Sequence, residues 1–436
     1  MRTRQRGLWR VLALLFAITL VAAACGDDDD DAADDTTTTA GDTDTTVAEN
    51  TGDGTLQIGY VLPQTGSLSF LGPPMIEAVK MAVEEINAAG GILGQPVELI
   101  ETDSGTDPDV ANTSVDQLLS QGVDYIVGPA SSGVALSVID KITGAGTPMC
   151  SPSNTGVQFT NYDDDSFYFR TAPPDNLQAQ VLADLIVGDD HTNVVVLGRS
   201  DEYGEGFANF LAEELEALGA EVPEVIIYDH DAGSYQAEAQ AIASHSPEAV
   251  AMISFEEGAQ VITSAVAEGV GPQDVAWYGA DGIQSSSFWE SVDANDPTVV
   301  SGVRGTAPSA APASGEATFQ DRFAEFAPGT DTIFSAHAYD CVMIGALAAA
   351  MAGSDAPADI QSEINDITLG GEKCSLAEEC LQLIEDGDDV DYDGASGALD
   401  FVEAGEPGAG AYDTWTFDDE GAVQILEESI DVSGED

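Results

Sequence analysis

The chain is 436 residues long and carries 79 Asp+Glu against 11 Lys+Arg, a formal charge of −68. Four of the cations (Arg2, Arg4, Arg6 and Arg10) fall in the first ten residues, so the remainder holds seven cations and a formal charge of −72. Seven scattered cations cannot line a nucleic-acid groove, and acids spread along the whole chain fit a solvated surface in saline surroundings, where salt screens self-repulsion.

The basic start runs into an apolar stretch at 11–21 and then Ala22, Ala23 and Ala24 ahead of Cys25. That is the composition of a secretory signal over 1–24. The stretch is too short, and too soon followed by acids, to favour a retained membrane span. A cysteine directly after small residues resembles a bacterial lipobox, although Ala22 stands where leucine is commoner. The resemblance implies lipidation of Cys25 and a protein anchored on the outer face of the cytoplasmic membrane. An ordinary signal that leaves a free thiol is the alternative. Residues 25–54, with an Asp run at 27–31 and a Thr run at 36–39, have too little apolar content to fold and read as a self-repelling tether.

About 380 residues follow from Thr55, more than one core usually supports, so two lobes are expected. Strands are predicted at 56–62, 97–102, 125–127 and 148–150, alternating with helices at 75–89, 107–120 and 135–143. Pro73-Pro74 opens the first helix, and Asp107-Pro108 supplies a cap with proline at the first helical position. A second run follows Pro173-Pro174: strands at 194–197, 225–228, 250–254 and 275–278, with helices at 177–187, 207–218, 235–243 and 258–270. Strand–helix alternation means doubly wound parallel sheets, an α/β fold with one sheet per lobe. Long helices at 319–326 and 338–351 then need a sheet to cover, and the first lobe lacks partners. Two facing lobes place a ligand cleft at the carboxyl ends of their strands.

Cys374 and Cys380 lie close enough for a local disulfide, which export would permit. Cys150 and Cys341 sit in apolar strand-like and helix-like stretches and read as buried thiols, with a second bridge left open. None of Lys80, Lys141 and Lys373 follows a glycine loop, Gly204-Glu205-Gly206 lacks the third glycine of a dinucleotide turn, and no serine sits in a nucleophile elbow. His191, His230, His245 and His337 lack metal-ligand spacing. No catalysis and no cofactor are expected. Asp389, Asp391, Asp393, Gly394 and Asp400 have the spacing of a calcium loop, but Asp400 is shorter than the usual Glu and no exiting helix follows. A strand–turn–strand with solvated acids is the preferred reading there.

Several stretches, in order, resemble the branched-chain amino acid type of solute-binding protein of ABC importers: 58–66 (IGYVLPQTG), 86–94 (INAAGGILG), 127–129 (VGP), 203–206 (YGEG) and 392–397 (YDGASG). The resemblance implies a type I periplasmic-binding fold whose chain crosses between lobes three times, near Pro173, Arg304 and Gly408. That gives lobe 1 residues 55–173 and 305–408, and lobe 2 residues 174–304 with a return at 409–436. It implies ligand roles for Ser132 at a helix start, Thr155 and the Ser153 carbonyl, Tyr203 packing on the ligand, and Asp281 as countercharge to an ammonium. Phe255 and Leu71 fall at pocket-wall positions more loosely. Here the family's Glu is replaced by Asp281. The implied function is capture of a small, aliphatic amino acid by lobe closure and delivery to a membrane permease powered by a separate ATPase. A sensor of the same fold, or an importer component for a solute such as urea or a short amide, is the alternative.

Overall fold

The structure is a computed structural model and describes residues 50–310 and 319–433. The signal segment and Cys25 lie outside the described residues. A five-stranded sheet is built from β1 (Gln57–Leu62), β2 (Glu98–Asp103), β3 (Tyr125–Val127), β4 (Met149–Ser151) and β5 (Tyr168–Arg170), in the order β2-β1-β3-β4-β5 and parallel throughout. Helices α1 (Gly72–Ala88), α2 (Pro108–Gln121) and α3 (Ser132–Gly144) connect its first four strands. The Asp107 side chain accepts from Asp109 and Val110 N–H at the start of α2, as a cap followed by proline should. Gly128, after β3, has φ +98°, and a Cβ there would sit 2.4 Å from the Val61 carbonyl. Only glycine lets the loop approach β1 that closely.

The chain then enters lobe 2 through α4 (Asp175–Gly188) and continues as β6 (Val194–Arg199), α5 (Glu202–Ala217), β7 (Val225–Tyr228), α6 (Gln236–His245), β8 (Ala249–Ile253), α7 (Gly258–Glu268), β9 (Ala276–Gly279), α8 (Phe288–Asp293) and β10 (Arg304–Pro308). After the undescribed 311–318 come α9 (Phe319–Phe326), α10 (Ser335–Ala352), α11 (Pro357–Glu363), β11 (Glu372–Cys374), α12 (Ala377–Asp386) and β12 (Val390–Tyr392), then β13 (Ala409–Phe417) and β14 (Val423–Ser433). The second sheet has the order β14-β13-β10-β9-β8-β6-β7. It is parallel from β7 to β10 and carries β13 and β14 as an antiparallel pair at one edge.

Three expectations need correction. A lobe 2 ending at Arg304 is too short, because β10 pairs with both β9 and β13 and the chain leaves that sheet only after Pro308. The tether does not run to Gly54: the backbone N–H groups of Asp53, Gly54 and Thr55 all donate to Asp355 Oδ2, at 2.9, 2.6 and 2.9 Å, and Asn50 Nδ2 donates to Asp124. A buried carboxylate with three donors binds that segment to the folded body despite its poor apolar content. Cys150 and Cys341 are not free thiols but a disulfide joining β4 to α10, besides the Cys374–Cys380 bridge.

α10 explains the first lobe's need for a cover. Its mean hydropathy would suit a membrane span, yet it is buried almost all round, against α1, α11 and the β3–β4 face of the sheet. Each wholly buried Leu, Ile, Val or Met contributes about 1.5–3 kcal/mol. In its middle, Asp340 is completely buried, and it accepts from Tyr392 and Ser396 hydroxyls and from Ala395 and Ser396 N–H at 2.6–2.7 Å. The loop at 392–397 is thus held by one carboxylate, and the Cβ that Gly394 lacks would lie 2.5 Å from Asp340 Oδ2.

All seven cations beyond the signal segment are ion-paired: Lys80 to Glu77, Lys141 to Asp116, Arg170 to Glu406, Arg199 to Asp201 and Glu257, Arg304 to Asp189, Arg322 to Glu85, and Lys373 to Asp391 and Asp393. The Lys373 pairs bear on the calcium-like spacing. Asp391 is buried rather than solvated, and a lysine ammonium already occupies the space between it and Asp393, at 3.2 and 2.7 Å.

Candidate functional site

Leu71, Ser132, Ser153, Thr155, Tyr203, Phe255 and Asp281 all line one cavity between the two sheets, completed by Leu68, Ala130 and Ser131. Lobe 1 supplies the loop before α1, the start of α3 and the loop after β4. Lobe 2 supplies the start of α5 and the turns after β8 and β9. The cavity therefore sits at the carboxyl ends of strands from both sheets. It is nearly shut: the centre of a water molecule has about 10 Å³ to move in, room for roughly one water. Admission of any larger solute requires the lobes to part.

On lobe 1, Ser131 caps α3 by accepting from Val134 N–H, and Ser132 Oγ accepts from Gly156 N–H at 3.2 Å. Ser153 Oγ donates to the Ala130 carbonyl. Ser132 opens α3, where unpaired N–H groups and the helix dipole favour a negative group. No Lys or Arg lines the cavity.

On lobe 2, Asp281 Oδ1 accepts from Gln178 Nε2 at 3.1 Å and from the Tyr203 hydroxyl at 3.3 Å. Both side-chain bonds use Oδ1, so Oδ2 receives none of them. Burial pushes the Asp281 carboxyl up to about 6, against the opposing hydrogen bonds from Gln178, its own backbone and Tyr203. Asp175, at the start of α4, is completely buried. Its pKa is raised well above the carboxylate range, first by burial and then by the charge of Asp281, with Thr155 and Arg170 acting against them. Two carboxylates thus share this interior with no free cation beside them, an arrangement that a ligand cation would relieve. Tyr203 and Phe255 stack with centroids 5.3 Å apart and form the aromatic wall.

Sequence reading missed Asp175 and Gln178, since an acid after Pro173-Pro174 reads as a helix cap. The signal lay in α4 itself: Gln178 is a polar residue one turn beyond Asp175 among buried Leu177, Ala179, Val181 and Leu182. A Gln inside an apolar face marks a group with a buried partner.

The sequence profile of the family described as periplasmic binding protein matches residues 55–372. Over 155 residues the chain is 32% identical to the Leu/Ile/Val-binding protein homolog 3 of Brucella melitensis, a match spanning 35% of this chain and 42% of that protein. This chain thus covers less than half of that relative's length. It is 26% identical over 368 residues to the chemotactic signal transduction system substrate-binding protein BasB of Halobacterium salinarum, covering 81% of this chain and 85% of that one. In fold it is similar to the branched-chain amino acid transporter substrate binding protein LivJ of Streptococcus pneumoniae, solved in complex with isoleucine, with a TM-score of 0.70 at 22% identity over 87% of this chain and 100% of the other. The chain belongs to the periplasmic binding protein family and has the type I two-lobed fold. The proteins it resembles are binding proteins rather than enzymes.

Proposed function

We propose that this protein is the extracytoplasmic solute-binding component of an ABC importer, which captures a small aliphatic amino acid by closing its lobes and presents it to a permease. The observation that carries the reading is Asp281, a buried carboxylate that receives side-chain hydrogen bonds at Oδ1 alone and lines a cavity with no Lys or Arg in its wall. An ammonium there would pair with Asp281, and a carboxylate would lie at the start of α3 near Ser132 and Thr155. Leu68, Leu71 and Phe255 would surround the aliphatic part. The size and apolar character of those three residues argue against urea or a short amide, which has no apolar group to bury.

Membrane attachment through lipidated Cys25 belongs to the same reading. Cys25→Ala should release soluble, ligand-competent protein, and retention of a signal-cleaved mutant in membranes would contradict the anchor. A sensor that reports the ligand to a signalling partner is the second reading, favoured by the likeness to BasB over most of both chains. Native mass spectrometry of copurified solute, followed by calorimetry with the free amino acids, tests the ligand. Selective binding of a solute with no amino group would overturn it. Pull-down with a permease or with a membrane receptor separates importer from sensor.

A further inference from the structure

Behind the aromatic wall lies an arginine that does not line the cavity. The Arg199 guanidinium carbon sits 3.7 Å from the centroid of the Phe255 ring. It is fixed there by Asp201 at 2.7 Å and Glu257 at 2.8 Å, with all three side chains at most 11% exposed. Glu257 Oε1 also accepts from the Tyr228 hydroxyl and from Phe255 N–H. Gly204 makes room for the arginine, since a Cβ there would lie 2.3 Å from Arg199 Cγ.

Tyr203 stacks on the same Phe255 ring at an interplanar angle of 20°. One ring face cannot hold both a centred guanidinium and a stacked phenol, so the two partners take opposite faces. Phe255 then meets the cavity with its edge, and its Cδ1 lies 2.8 Å from where a Cβ on Gly282, next to Asp281, would stand. The edge of an aromatic ring carries the positive part of its quadrupole, so Phe255 offers a ligand cation none of the attraction of a ring face.

We propose that Arg199 is a specificity-determining positioning residue: by clamping Phe255 edge-on, it makes the cleft select a primary ammonium over a methylated one. A primary ammonium has three N–H donors for Asp281 Oδ2 and the neighbouring hydroxyls. A quaternary ammonium has none and would need a ring face, as in aromatic cages. The inference rests on the amino acid reading of the cleft.

The test is calorimetry with L-leucine and its N,N,N-trimethyl derivative, on wild type, on Arg199→Gln combined with Glu257→Gln, and on Arg199→Lys. The double variant removes a cation and an anion together, while the amide put in place of the Glu257 carboxylate can still accept from the Tyr228 hydroxyl. The lysine variant keeps the charge but not the planar fork that holds the ring. Thermal melts confirm that each variant is folded, and the lysine variant carries the test should the double one not be. Wild type should prefer L-leucine by about 100-fold, and the preference should shrink by about tenfold in the double variant and by less in Arg199→Lys. An unchanged ratio in folded variants that still bind L-leucine overturns the role of Arg199 alone. Equal wild-type affinity for both probes does the same. Wild type that binds neither probe overturns the amino acid reading and this inference with it.

Discussion

Lobe 1 meets the cavity with Ser132, Ser153, Thr155 and the start of α3, whereas lobe 2 meets it with Asp281, Tyr203 and Phe255, backed by Asp175. The bracing differs in the same way. Both disulfides lie in lobe 1, and lobe 2 relies on its larger sheet and on ion pairs such as Arg199 with Asp201 and Glu257. A zwitterion would therefore be divided by charge between the lobes, its anion facing neutral donors on the stapled half and its cation facing acids on the other. Neither half alone is complementary to such a ligand, which is the condition for binding to drive closure.

The largest effect expected from breaking this contrast is reduction of lobe 1. The Cys150–Cys341 bridge joins residues 191 apart and the other bridge residues 6 apart. Chain-entropy reasoning gives about 5 kcal/mol for the long loop and about 2 kcal/mol for the short one. Cys150→Ala with Cys341→Ala should lower the melting temperature strongly and uncouple lobe 1 from lobe 2 in calorimetry, whereas loss of the short bridge should cost less than half as much.

Next comes the countercharge. Asp281→Asn should weaken amino acid binding by about 2–5 kcal/mol, because it leaves a buried cation short of its partner. Isothermal calorimetry on the folded mutant reads this directly, and unaltered affinity would refute the role.

The acid pair also makes binding and stability respond to pH in opposite senses. Asp281 titrates at about 6 in the folded protein against an ordinary 3.8, so the native state binds the proton more readily than the unfolded chain between those values. Its contribution to stability is present at low pH and is lost as pH rises through about 6. Asp124 in lobe 1, raised to about 7 by burial, acts in the same direction, as do the raised Asp175 and Asp340. His337, depressed to about 4 by burial, opposes them. Ligand-free protein should melt higher at pH 5 than at pH 7.5, while affinity for an amino acid falls over the same step as Asp281 loses its charge. Parallel melts and titrations at the two pH values check both signs.

Smallest is Ser132→Ala on the lobe 1 side, expected to cost about 1–3 kcal/mol of affinity, since one hydroxyl is lost while the backbone donors of α3 remain. A loss larger than that of Asp281→Asn would reverse the assignment of charge recognition to lobe 2.

Much of this was legible in the sequence. Tyr125–Val127 and Val225–Tyr228 are strands with the predicted bounds, because each is a short β-branched or aromatic run between turn residues. The helix predicted from Gly258 starts there, though it ends at Glu268, before the left-handed Gly269. Less legible were features that depend on distant partners. Nothing local in Cys150 or Cys341 announces a bond across 191 residues, and β10 is assigned to lobe 2 only by its neighbours β9 and β13. The cavity residues were located through family resemblance, because single hydroxyls and acids in loops have no periodicity. Asp175 and Gln178 escaped for the same reason: their meaning lies in Asp281, about a hundred residues away.

The clasp at Asp355 has a mechanical consequence. A pull arriving along the chain ahead of Asn50 meets three backbone hydrogen bonds to one carboxylate, at the junction between α10 and α11, before it reaches β1. The force is shared between that junction and the first strand, both within lobe 1. Lobe 2 takes no part in that clasp, so a tension delivered by the proposed Cys25 anchor should be borne by lobe 1.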